Sequence, residues 1–142
     1  MGIFGNLFGG KQDYPPLPAD TEAMAKLDEM KAQLEELAKK VNDHLEVVPA
    51  DHEAYVYLGK PPKRFGIAWI HDGKLSSLNE LVGEGHLTQA ETQKLIGKLG
   101  RAYEHASDAP RYSAELAGKK VVVIPSRGLG QEVHEIIEGA IH

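Results

Sequence analysis

The chain of 142 residues contains no cysteine. Disulfides, thiolate zinc sites and cysteine nucleophiles are thereby excluded, and the composition suits a reducing cytoplasm, the compartment expected for this protein. No apolar run approaches the ~18 residues that a membrane-spanning helix needs. The N-terminus lacks the basic region and apolar core of a secretory signal. Basic charge is also in short supply: 16 Lys and Arg face 21 Asp and Glu, for a net charge of −5. Nucleic acid is not expected as a partner, because phosphate binding needs a basic stripe to release counterions. The basic residues are scattered, with only Lys60, Lys63 and Arg64 grouped on one short loop. Several catalytic and metal signatures are missing as well. There is no H-E-x-x-H, no Gly-Lys-Ser/Thr phosphate loop, and no serine or threonine with an evident base. No enzyme activity, cofactor or metal is therefore implied.

What is present suits one soluble domain. The hydrophobic fraction of 42% and charged fraction of 26% are ordinary for a globular chain. Residues 1–19 read as a flexible tail, with four glycines in the first ten positions and prolines at 15, 16 and 18. Ile3, Phe4, Leu7 and Phe8 would share one face if this tip became helical, a form suited to contact with a membrane surface or a partner groove.

The most conspicuous pattern is a seam of Leu27, Met30, Leu34, Leu37, Val41, His44 and Val48. No Gly or Pro falls between Asp20 and Val48, so the spacing predicts one long amphipathic, coiled-coil-like helix over 20–48, opened by Asp20 or Thr21 as N-cap. Such a helix would measure about 42 Å at 1.5 Å per residue. A compact domain of this size spans only about 30–35 Å. The mismatch favours a homo-oligomer with the seven seam residues at its interface, and His44 as a polar, pH-sensitive position within it.

An α/β core is expected over 53–142, forming one domain with the helix. EAYVYL at 53–58 and FGIAWIH at 65–71 read as an antiparallel hairpin. In the second strand Phe65, Ile67, Trp69 and His71 share one face, Gly66, Ala68 and Ile70 the other, and both faces are apolar enough to need cover. Asp72-Gly73 makes a turn. Capping boxes at Ser77–Glu80 and Thr88–Glu91 open two helices, the second running to about Ala106. Residues 107–118 read as irregular. KKVVVIP at 119–125 is the strongest strand, followed by a helix whose buried face is Val133, Ile136, Ile137, Ala140 and Ile141. The expected fold is α+β, or small α/β, in the order α-β-β-α-α-β-α, with a mixed sheet of about three strands.

The candidate binding residues lie at the strand-to-helix turn Ser126-Arg127-Gly128-Leu129-Gly130. Free backbone N–H groups at a helix start favour an anion, with Arg127 and Ser126 as side-chain donors and Gly128 and Gly130 admitting close approach. If the strands at 65–71 and 119–125 run parallel, His71 and Asp72 end at the same sheet edge, where ligands of open α/β sheets bind. His134, Glu138 and His142 line up at i, i+4 and i+8 but lack a third element to make a metal site. Three functional expectations follow. The first is a non-catalytic, self-associating interaction module. The second is a protein or enzyme that binds a small phosphate- or carboxylate-bearing ligand at 126–130. The third is a membrane-surface adaptor acting through residues 3–8.

Overall fold

A computed structural model of the chain describes residues 14–141. Its class is mixed α+β, as expected, but the sheet is twice the expected size. The six strands are β1 (Leu45–Ala50), β2 (Glu53–Lys60), β3 (Arg64–His71), β4 (Lys74–Ser77), β5 (Tyr112–Leu116) and β6 (Lys119–Val123). They lie in the order β4-β3-β2-β1-β6-β5. All neighbours are antiparallel except β1 and β6, which run parallel. Five helices accompany them among the described residues: α1 (Glu22–Glu29), α2 (Lys31–Lys40), α3 (Leu78–Gly83), α4 (Gln89–His105) and α5 (Arg127–Ile141).

The expected helix over 20–48 is two helices and a strand. Thr21 caps α1 by accepting the Met24 N–H at 3.2 Å. Met30 then leaves helical geometry (φ −111°, ψ 19°), and Val41 ends α2 in an extended conformation. The break has a packing reason. α1 lies on β1, whereas α2 reaches both outer strands, β4 and β5, and one straight rod cannot do both. Beyond Val41 the β-branched pair Val47 and Val48 enters the sheet, burying Leu45 and Val47 on one face and Val48 on the other. A heptad and a strand both space apolar residues closely, so periodicity alone does not separate them.

Pro49 belongs to β1 rather than stopping a helix, and its register partner is Ala54 on β2. The β1–β6 ladder ends just before it, where the Ile124 N–H donates to the Val47 carbonyl at 2.8 Å. Pro49 has no N–H to carry that ladder further. The Ile124 carbonyl instead accepts the Ser126 N–H at 2.8 Å.

Three strands, β1, β4 and β5, fall outside the expected set, and two of them are hidden by tight turns. Asp72 and Gly73 both have positive φ (53° and 73°), as a two-residue hairpin requires, so the chain returns as β4. Ala117 and Gly118 repeat this geometry between β5 and β6. The 53–58 and 65–71 segments pair antiparallel, Glu53 opposite His71 through to Lys60 opposite Arg64.

The sheet is covered on both faces. Ala23, Leu27, Met30, Leu34, Leu37 and Ala38 from α1 and α2 pack on Leu45, Val47, Val56, Ala68, Ile70, Val121 and Val123. On the other face Leu78, Leu95, Leu99, Ala102, Leu129, Val133 and Ile137 meet Tyr55, Tyr57, Ile67, Trp69 and Val122. β3 thus has cover on each side, as its sequence suggests. The reciprocal capping box of Thr88 and Glu91 is also formed. Ile136 and Ala140 are partly buried as part of the expected face of α5; the Ile141 side chain lies outside the description.

Candidate functional site

Four seam residues are consumed by the chain's own core. Leu27, Met30, Leu34 and Leu37 are each 4% exposed or less. Val41 is partly buried beside them, and Val48 is sealed under the opposite helical layer. His44 lies in the link between α2 and β1, with its Nε2 3.4 Å from the Glu46 carboxylate. Residues 3–8 lie outside the described residues. No helix among those described is long and apolar enough to cross a membrane.

β3 and β6 do run in the same direction, so His71, Asp72, Ser126 and Arg127 end at one edge of the sheet. They do not form a single cluster. β2 and β1 stand between the two strands, and three strand spacings of ~4.8 Å separate them by about 14 Å. The Ser126 hydroxyl is spent on capping α5, accepting the Leu129 N–H at 3.1 Å. Arg127, whose side chain is exposed, pairs with Glu22 at 3.2 Å. A Cβ added at Gly130 would meet Val48 and Ala50 at ordinary contact distance.

The edge is occupied instead by a cleft of about 430 Å³ between the two helical layers, just past the point where the β1–β6 ladder ends. It is lined by Lys26 from α1, by Pro49, Ala50 and Asp51 at the end of β1, by Glu53 of β2, and by Arg127, Gly130, Gln131 and His134 of α5. Lys26 Nζ holds Asp51 and Glu22, each at 3.2 Å. Hydrogen bonding and charge from Lys26 keep both carboxyls below their ordinary pKa.

The wall of this cleft holds a polar cluster centred on Glu53. Its Oε1 accepts the Tyr55 hydroxyl at 2.7 Å and lies 3.0 Å from His134 Nδ1; its Oε2 lies 2.6 Å from His71 Nδ1. Tyr55 and His134 are also 2.7 Å apart. Strand register explains half of this arrangement. Glu53 and Tyr55 are two apart on β2 and so share a face, while Glu53 and His71 are cross-strand partners. α5 then lays His134 across them. Burial disfavours the Glu53 carboxylate, but the hydrogen bonds from Tyr55 and His71 and the charge of His134 outweigh it, so its pKa is lowered. The hydrogen bond to Glu53 raises His71 despite some desolvation, and Asp72 adds to the rise. Tyr55 is raised well above a free phenol by burial and by Glu53. Of this cluster, Glu53 and His134 line the cleft itself, while Tyr55 and His71 hold Glu53 from behind. Among the described residues no group of three or more His, Asp or Glu is placed to hold a metal ion.

Lys26, Asp51, Glu53, Tyr55 and His134 are not marked by the sequence as a site. The one local signal is the Glu-x-Tyr alternation at the start of a strand, since the other partners come from distant segments. The fold and cleft together define an α+β protein with an open polar crevice at the carboxyl ends of its two parallel strands. No protein-family model, curated protein or solved structure matches the chain.

Proposed function

We propose that this protein binds a small carboxylate- or phosphate-bearing ligand in the cleft between α1 and α5. The observation that carries the reading is the meeting of Lys26 and Arg127 at the carboxyl edge of β1 and β6, beside the first turn of a fifteen-residue helix. Crevices outside the carboxyl ends of parallel strands are the usual ligand sites of sheets with helices on both faces. A helix start adds positive potential, and Arg127 adds a planar fork suited to either anion. The site is displaced from the 126–130 turn itself. Ser126 is engaged in capping, and the turn contributes Arg127 and Gly130 only.

Self-association through the seam has less support than this reading. Its central residues already have a partner in the sheet of the same chain, and Val82 is the one large hydrophobic side chain exposed among the described residues. Amide chemical shifts, followed while phosphate, sugar phosphates and short carboxylates are added to the full chain, test the proposal. Binding should move Asp51, Arg127, Gly130 and Gln131. Silence at these amides with every anion removes it.

A further inference from the structure

The charges lining the cleft are of both signs: Lys26 and Arg127 against Asp51 and Glu53. We infer that the ligand is a zwitterion of amino-acid size, its carboxylate held by Lys26 and Arg127 and its ammonium by Asp51; this rests on the cleft being the binding site. The cations are already matched, Lys26 by Asp51 and Glu22, Arg127 by Glu22. Glu22, Asp51 and Arg127 are mostly exposed, so water screens these pairs and a ligand can replace them. What matters is what the exchange leaves behind.

A simple anion that takes Lys26 strands Asp51 beside a second negative group, with Glu53 in the same wall. Like charges at such distances oppose binding. A zwitterion returns a cation to Asp51 as it takes the lysine, and Glu22, which gives up both cations, is 63% exposed and passes to water. Side-chain freedom fits this exchange. Lys26 is anchored, with 16% of its side chain exposed, whereas Asp51 and Arg127 are 85% and 86% exposed and can turn to meet a guest. The volume is at the lower end of the ~300–1,000 Å³ typical of small-molecule sites. Pro49, Ala50 and Gly130 leave a small apolar wall for a short side chain.

The test compares pairs of molecules that differ only in the ammonium. The full chain at neutral pH is titrated with glycine, L-alanine and L-leucine, and with acetate, propionate and isocaproate, by calorimetry and amide chemical shifts. At least one amino acid should bind about tenfold or more tightly than its des-amino counterpart. Asp51→Asn, at a position 85% exposed, should remove that preference, so that each amino acid binds no more tightly than its des-amino counterpart; a preference that survives the substitution overturns the assignment. A des-amino acid that binds as well as its amino acid overturns the zwitterion and leaves the anion cleft standing. The zwitterion is overturned in the same way if inorganic phosphate shifts the cleft amides and no amino acid does. If none of these compounds shifts them, both readings fall.

Discussion

The two faces of the sheet are built from different materials. Beneath α1 and α2 the buried side chains are Leu, Val, Ile, Ala and Met, with no hydroxyl or charged group among them. Beneath α3, α4 and α5 the core contains Tyr55, Tyr57 and Trp69, with Tyr103 at its margin. Here hydroxyls must be satisfied. Tyr57 donates to the Leu99 carbonyl at 2.8 Å, and Tyr103 to Glu46 at 2.7 Å. Glu46 is the one buried charged residue among those described. Burial, with the Glu46 contact, pushes Tyr103 up to about 12. The aliphatic face supplies cohesion without direction. The aromatic face supplies direction, because each polar tip accepts few partners, and the Glu53 cluster and the cleft lie at its edge. Among the described residues no buried side-chain polar atom is left without a partner, so the second face gains specificity without leaving desolvated groups unpaired.

The largest expected effect breaks the aliphatic face. Leu34 is 1% exposed among aliphatic neighbours, so Leu34→Asp should cost more than about 4 kcal/mol, against a typical domain stability of ~5–15 kcal/mol. Circular dichroism should show an unfolded or molten chain. A folded monomer released from a native oligomer would instead revive the seam as an interface.

A smaller effect sharpens the contrast on the aromatic face. Tyr57→Phe keeps the ring packed and removes one buried hydroxyl, which should cost about 1 kcal/mol in urea unfolding with no change in slope. An unchanged midpoint would mean that the hydroxyl is stabilising nothing.

The subtlest effect is a pH dependence at the edge where the cleft opens. Glu53 has a lowered pKa, so its contribution is present above its unfolded value of 4.5 and is lost as pH falls through the folded one. His71 has a raised pKa, so its contribution is complete below its unfolded value of 6.5 and is lost as pH rises through the folded one. The difference in Tm between the native chain and Glu53→Gln should therefore peak between about pH 4.5 and 6.5 and shrink on either side. Asp72, Tyr55, His134 and Glu138 face the same pair and set the width of the window. His71 is largely solvent-exposed, so the peak should be a fraction of a kcal/mol. A flat difference across this range would show that the cluster does not couple to folding.

Much of the local structure is legible in the sequence. The 53–58 and 65–71 hairpin, the two-sided burial of β3, the Thr88–Glu91 box and the apolar stripe of α5 follow from spacing, because those signals lie within a few residues of one another. Spacing fails where a local pattern has two solutions. Residues 41–48 continue a heptad on paper, yet Val47 and Val48 gain more as part of a covered strand than as the last turn of a protruding helix. β4 and β5 escape notice because they are short and mixed in polarity. Their hairpin turns, Asp72-Gly73 and Ala117-Gly118, are the better signals. At the edge of the sheet, the common direction of β3 and β6 is open to inference, but the two strands inserted between them are not.

From the sequence alone come the hairpin, the caps, the amphipathic faces and the mixed α+β class, since each depends on the 2.0 and 3.6 periods of neighbouring side chains. Tertiary structure decides the rest. It turns the seam inward, because a twice-larger sheet offers the cover that a small one lacks. It also places Glu53 against His134, 81 residues away, and sets Lys26, Asp51 and Arg127 around one cleft. Contacts at that separation depend on strand order and helix placement, which no local spacing encodes.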